Sequence, residues 1–351
     1  MKRILVAPLN WGLGHATRCI PVVGALLEQG FEPVLASDGQ ALELLKKEFP
    51  ALVSIELPSY HIKYTKNGNL LALGLLGQSQ KIRRAAEKEY NCVDKLVAEL
   101  KLDGIISDNR FGVYSKKVPS VYITHQLNVP FGVFTRMASK IHHKLISKFD
   151  ECWVPDYEGY DNLAGSLSFP PPKKIQIRYI KPLSRFDYKA FVKVYDILVI
   201  ISGPEPQRSI FEEKMIEKFK EFDGKVLIVR GILEQDQKRE FLDSIEIVNY
   251  MLKEELEAAI LRSELIISRS GYTTIMDMEA LRSKAFFIPT PGQFEQILLA
   301  IHLRKRGIAN FSFQKNFTLC KLKEGLQTQG FPIKKTSNEN AEMLSFDVFN
   351  S

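Results

Sequence analysis

Three segments of this 351-residue sequence place polar, chemistry-bearing residues just where an apolar run ends and a helical pattern begins. The first is Asn10-Trp11-Gly12-Leu13-Gly14-His15-Ala16-Thr17-Arg18-Cys19. At a strand-to-helix turn, free backbone N–H groups and the helix dipole hold an anion or a carbonyl oxygen. Gly12 and Gly14 let a ligand come close to that backbone. His15 is a general-base candidate, since imidazole accepts a proton from a hydroxyl near neutral pH; the bland alternative is a histidine that caps the loop. A dinucleotide fingerprint would require glycine where Thr17 stands, which argues against a nicotinamide cofactor.

The second segment is Ile201-Ser202-Gly203-Pro204-Glu205-Pro206-Gln207-Arg208-Ser209. Ser202 and Gly203 are small enough for close approach, and Arg208 can pair with phosphate oxygens. Pro204 and Pro206 each remove an N–H donor, so a plain tight turn is the competing reading. The third segment is the most informative. Ser270, Gly271, Tyr272 and Thr273 open a helix whose unpaired N–H groups, with the Thr273 hydroxyl, form a phosphate cradle. Asp277 lies further along that helix, at a reach suited to ribose hydroxyls. Beyond the next strand, Glu295 and Gln296 offer the carboxylate and amide that sugar hydroxyls prefer.

Such turns need strands and helices in alternation to position them. Strands are predicted at Arg3–Pro8, Pro33–Ser37, Val53–Leu57, Gly104–Ser107, Ser120–Thr124 and Cys152–Val154. In the second half they fall at Ile197–Ser202, Lys225–Val229, Ile245–Val248, Leu265–Ser268 and Ala285–Pro289. Helical patterns lie between them, including a long one over residues 78–100, so an α/β fold with parallel sheets covered on both faces follows. Phe169-Pro170-Pro171-Pro172 breaks the pattern and reads as a stiff linker. The division predicted is 1–168, a linker at 169–190, a second domain at 191–325 and a polar tail at 326–351. Two doubly wound Rossmann-like units in this order would face each other across a ligand cleft.

Composition narrows the partners. Hydrophobic residues make up 45% and charged residues 25%, ordinary for a globular protein. Cys19, Cys92, Cys152 and Cys320 are too scattered for a zinc knuckle or a disulfide framework. No apolar run reaches the roughly 20 residues that span a bilayer, so a cytoplasmic protein is expected. A net charge of +7 favours an anionic partner. No nucleic-acid module is present to claim that charge. Asn69–Gly77 is an apolar run followed by Lys81, Arg83 and Arg84, and Arg136, Lys140, Lys144 and Lys148 recur every fourth residue. An apolar patch beside cations suits peripheral docking on anionic lipid at the inner membrane face; a buried helix start beside a solvated basic face is the alternative.

The run Ser268–Gln296 resembles the C-terminal donor-binding signature of glycosyltransferase family 28, and the His15 turn resembles that family's N-terminal glycine loop. The chain is also similar to a loosely characterised bacterial and archaeal glycosyltransferase group, through Gly14-His15-x-x-Arg18, Ser107-Asp108, Thr124-His125-Gln126 and Leu183-Ser184-Arg185-Phe186. The resemblance implies a GT-B architecture and transfer of a hexose-type sugar from a UDP-sugar with inversion. Ser202, Gly203, Arg208, Ser270, Gly271, Tyr272 and Thr273 would then hold the diphosphate, Asp277 the ribose, and Glu295 and Gln296 the sugar. Gly12, Gly14 and His125 would face an acceptor that is lipid-linked or a saccharide. His15 or Asp108 would be the base.

The sequence holds no Asp-x-Asp motif, so a metal-independent reaction without cofactor is expected, the helix N-termini and Arg208 stabilising the leaving diphosphate. Where the peptidoglycan enzyme of the family has a Gln-Gln pair, this sequence has Gln296-Ile297, so N-acetylglucosamine is not implied. Two rivals remain open: a UDP-sugar hydrolase of the same fold, with His15 activating water, and a nucleotide-sugar-binding protein without turnover.

Overall fold

The structure is a computed structural model, and it describes residues 1–60, 79–130, 135–332 and 344–350. These form two compact units, one holding the described residues up to Leu183 together with 344–350, the other Ser184–Pro332.

The first unit is built on a seven-stranded parallel sheet of order β3-β2-β1-β4-β5-β6-β7. Its strands are β1 (Arg3–Pro8), β2 (Glu32–Ser37), β3 (Ser54–Glu56), β4 (Gly104–Asp108), β5 (Ser120–Ile123), β6 (Glu151–Val154) and β7 (Ile177–Tyr179). Helices α1 (Gly14–Glu28), α2 (Gly39–Glu48), α3 (Ser79–Glu99) and α4 (Thr135–Ile146) connect them. Apolar residues run through the central strands without alternation, because both faces are covered. Leu5, Ala7, Val34, Ala36 and Ile105 pack against Val93 and Val97 of α3. On α1, Val22, Val23 and Leu26 are fully buried.

Two expectations are corrected here. Ile177–Tyr179, placed in the linker, is the seventh strand and pairs in parallel with β6. The triple proline breaks the chain only before it, and Ile177 and Tyr179 pack against the Phe149 cluster. Residues 344–350, placed in the polar tail, return to this unit. Phe346 and Phe349 are each 1% exposed and pack against Trp153, one ring tilted and the other edge-on. Gly104 leaves the room for this, since a Cβ there would collide with the Phe349 ring.

The second unit has a seven-stranded sheet of order β10-β11-β9-β8-β12-β13-β14. Its strands are β8 (Tyr195–Ile200), β9 (Val226–Val229), β10 (Arg239–Leu242), β11 (Ile245–Val248), β12 (Ser263–Ser268), β13 (Ala285–Phe287) and β14 (Asn310–Phe311). All pairings are parallel except β10 with β11. Helices α5 (Gln207–Phe219), α6 (Lys253–Leu261), α7 (Tyr272–Ala280), α8 (Phe294–Lys305) and α9 (Leu322–Leu326) alternate with them. Strand β10 escapes the sequence pattern because every residue in it is exposed, Phe241 at 73%. Its edge position leaves no buried face for apolar alternation to mark.

In each sheet the strand order reverses once, between β1 and β4 in the first and between β8 and β12 in the second. Ligands of open α/β sheets bind at the carboxyl ends of strands at such switch points. The His15 turn follows β1, and the Ser202 and Gly271 turns follow β8 and β12.

Candidate active site

Helix α1 opens at Gly14 with no side-chain cap, and Gly12 before it sits at φ +86°, a conformation glycine adopts without strain. Helical spacing puts His15, Arg18 and Cys19 on one face of its first turns. That face meets the end of β4, because Pro8 and Asp108 are register partners in the sheet. His15 Nδ1 lies 2.9 Å from Asp108 Oδ1, and Arg18 donates to both oxygens of the same carboxylate through Nε and Nη2. The Cys19 thiol donates to Oδ2 at 3.6 Å. His125 stands behind, its Nδ1 3.4 Å from Arg18 Nη1. Among the described residues this brings His15, Asp108 and His125 together, as the sequence suggested.

Electrostatics separates the roles. Asp108 is 0% exposed. Burial opposes its charge, but Arg18 and His15 overcome that and hold the carboxyl well below the usual range. It is ionised at any physiological pH. His15 keeps 17% of its side chain exposed. Burial first, and the Arg18 charge second, lower its pKa, while Asp108 pulls the other way. The imidazole is therefore neutral near pH 7. Nδ1 faces both the Asp108 carboxylate and, at 2.9 Å, the Arg18 Nη2 donor; in the tautomer with its hydrogen on Nδ1 toward Asp108, the Nε2 lone pair is a proton acceptor. Asp108 is too enclosed and too strongly ion-paired to take a proton itself. The histidine is the better base, and the carboxylate orients it. His125 is only 5% exposed, so it backs Arg18 rather than standing open.

A second buried network holds the glycine turn. Arg110 donates to Asp38 Oδ1 and Glu89 Oε1, each at 2.6 Å, and to the Pro58 carbonyl at 2.8 Å. Tyr60 donates to Glu89, and Asn10 reaches Asp38 Oδ2 at 3.3 Å. Asn10 also accepts from the Ala41 N–H, so the loop carrying Trp11 and Gly12 is tied to the start of α2. Sequence reasoning missed Arg110 and Glu89. Their separation of 21 positions carries no local signal.

In the second unit, Gly271 caps α7 without any side-chain cap hydrogen bond. Its φ of −72° suits any residue, and a Cβ there would meet only Thr274 Oγ1 at 3.9 Å. Neither backbone strain nor packing asks for glycine at 271. What its absent side chain provides is open approach to the first N–H groups of the helix, which is what an anion needs. Tyr272 is buried beside it. Ser270 is fully buried and its hydroxyl donates to the Gln296 carbonyl at 2.8 Å, so it braces the turn from behind. Gln296 Oε1 accepts from the Thr290 N–H at 2.7 Å, tying the loop after β13 to α8 next to Glu295. Gly203 sits at φ +111°, close to Ser202 and α5.

Two donor-side residues differ from their expected surroundings. Arg208 is held by Glu205 at 2.5 Å and Glu212 at 2.6 Å, so its charge is already balanced by two carboxylates. Asp277 accepts from Ser184 Oγ at 2.8 Å. Burial lifts its pKa to about 7, against the pull of Ser184 and Arg185, so it sits between donor and acceptor near neutrality. Among the described residues no cluster of three or more His, Cys, Asp or Glu is placed to hold a metal ion. The apolar run Asn69–Gly77 lies outside the described residues, as does the side chain of Lys81.

Residues 207–348 match the glycosyltransferase family 28 C-terminal domain. By fold and by that match, the chain is a glycosyltransferase of the GT-B type. Across its length it is 24% identical over 314 residues to an uncharacterized glycosyltransferase of Methanosarcina acetivorans, covering 84% of this chain and 81% of the relative. It is 22% identical over 351 residues to the UDP-N-acetylglucosamine–N-acetylmuramyl-(pentapeptide) pyrophosphoryl-undecaprenol N-acetylglucosamine transferase of Haemophilus ducreyi, covering 97% of this chain and 92% of that one. Among solved structures it is similar in fold to the kitacinnamycin glycosyltransferase, with a TM-score of 0.64, 13% identity, and coverage of 93% and 89%. The architecture implied by the sequence resemblance is thereby the observed one.

Proposed function

We propose that this glycosyltransferase moves a hexose-type sugar from a UDP-sugar to an acceptor hydroxyl, with inversion at the anomeric carbon and without a metal. The observation that carries the reading is the pairing of partly exposed His15 with buried, ionised Asp108. In-line displacement needs a base for the incoming hydroxyl and a partner for the charge that develops on the leaving diphosphate. The first unit supplies the base. The second supplies the uncapped amino end of α7 at Gly271, whose dipole and N–H groups stabilise an anion with no cation required.

Asp277, half-buried and titrating near neutrality, is assigned to the ribose. Glu295 and Gln296 are assigned to the sugar, and Gly12 and Gly14 to the acceptor side, while buried His125, expected there too, instead backs Arg18. The Haemophilus ducreyi relative is named for a lipid-linked acceptor, which supports a lipid-linked or saccharide acceptor here. Helix α4 supports work at the cytoplasmic face of a membrane. Arg136, Lys140 and Lys144 are exposed there beside Met137 and Ile141, at 55% and 59% exposure. No described helix is long and apolar enough to cross a bilayer.

The Gly14-His15-x-x-Arg18-Cys19 turn would equally activate water, which keeps a UDP-sugar hydrolase as the second reading. Turnover separates the two. Incubation with UDP-glucose, UDP-galactose or UDP-N-acetylglucosamine, with polyprenyl-linked and free saccharides as acceptors, should release UDP only when acceptor is present. EDTA should leave the rate unchanged. Free sugar appearing without acceptor would favour hydrolysis, and no UDP release from any donor would leave a binding protein.

A further inference from the structure

Arg269, between β12 and the Gly271 turn, is a buried cation that the reaction outlined above does not use. It is 2% exposed, and no ion pair among the described residues involves it. Its guanidinium lies 4.0 Å from the centre of the Phe211 ring and donates only to backbone carbonyls. Nη1 reaches Ile288 O at 3.0 Å and Pro289 O at 3.4 Å, and Nη2 reaches Gln207 O at 3.1 Å. Its Nε, also buried, has no hydrogen-bond partner. Burial lowers its pKa to about 9.

A buried charge without a counter-charge is costly, because the protein interior does not replace the hydration it loses. Arg110 in the first unit shows the ordinary solution, with two carboxylates at 2.6 Å. Arg208 in the same unit as Arg269 also has two. Arg269 differs from both, and its position is informative. The three carbonyls it holds belong to the start of α5 and to the loop after β13, and its own backbone leads into the Gly271 turn. These are the three loops assigned to the donor, and the one guanidinium bonds or belongs to all of them.

We propose that Arg269 is a positioning residue for a nucleoside diphosphate: it fixes those three loops in one arrangement, and its uncompensated charge favours a diphosphate seated on the Gly271 turn. A bound anion supplies the counter-charge that the protein omits. The proposal rests on the donor reading given above, and it adds that the strength of diphosphate binding depends on a residue that does not touch the ligand.

The test compares UDP, dTDP, ADP and GDP, each beside its own nucleoside, in calorimetric titrations of the parent chain, Arg269→Met and Arg269→Lys. For whichever diphosphate the parent binds, Arg269→Met should weaken the diphosphate about tenfold or more while the nucleoside changes less than about twofold. Arg269→Lys, which keeps the charge but not the planar fork, should fall between. A merely structural arginine would weaken nucleoside and diphosphate alike. That outcome, or unchanged diphosphate affinity in either variant, overturns the proposal. If Arg269→Met does not fold, by circular dichroism and thermal melt, the same comparison on Arg269→Lys decides. A parent chain that binds none of the four diphosphates overturns the donor reading itself, and this inference with it.

Discussion

At the scale of single residues, one carboxylate and one histidine share an arginine that sets their charges apart. Asp108 is locked as an anion by Arg18, and His15 is kept neutral by burial and the same arginine. His15→Ala should lower the turnover rate by about a hundredfold to ten-thousandfold, the usual worth of a positioned base. The acid limb of the pH–rate profile should lie below the ordinary histidine value, since the folded-state pKa is lowered. In Asp108→Asn the raising influence of the carboxylate is lost, so that limb should move to still lower pH while the rate falls. A limb that stays in place in Asp108→Asn, or sits above the ordinary value in the parent, would remove His15 as the base. The sequence put His15 and Asp108 forward as alternative bases; that they are hydrogen-bonded partners became legible only when β1 and β4 were seen side by side. It left Arg269 unread, because an arginine preceding a glycine turn looks like a flank until its three carbonyl contacts are seen.

At the scale of elements, β-strands buried on both faces announced themselves as unbroken apolar runs, and β1, β4, β8 and β12 fall where those runs predict. The elements missed share a physical cause. Strand β7 follows a proline triplet that suggested a linker, and β10 lies on an exposed edge, so neither has the apolar signature of a central strand. Helix α4 was legible by its basic spacing, and the structure adds why its outer face is unusual. Ser139, His142 and Ile146 are buried, leaving Met137 and Ile141 outside among the cations. Co-sedimentation with vesicles containing anionic lipid should therefore be strong at low salt and fall as salt rises. Met137→Ser/Ile141→Ser and Arg136→Glu/Lys140→Glu should each weaken it, the second by about 1 kcal/mol per charge removed. Equal sedimentation with neutral vesicles, or no loss in either double variant, would mark the face as an ordinary solvated one.

At the scale of the whole molecule, the repeated strand-turn-helix grammar was enough to fix two doubly wound units, because each repeat must bury a sheet face against its own helices. What the grammar could not convey was how the end of the chain is used. Residues 326–351 look polar as a whole, yet Phe346 and Phe349 near their end close the first unit over Trp153. The proposed reaction draws its base from the first unit and its anion-holding turn from the second. That division is tested most directly by calorimetric titration of UDP into the parent chain, His15→Ala and Gly271→Val. Valine is tolerated by the backbone at 271 but fills the open approach to the α7 amino end. The account predicts that the parent and His15→Ala bind UDP with affinities within about twofold, and that Gly271→Val loses about tenfold or more. UDP binding that survives in Gly271→Val and disappears in His15→Ala would contradict it.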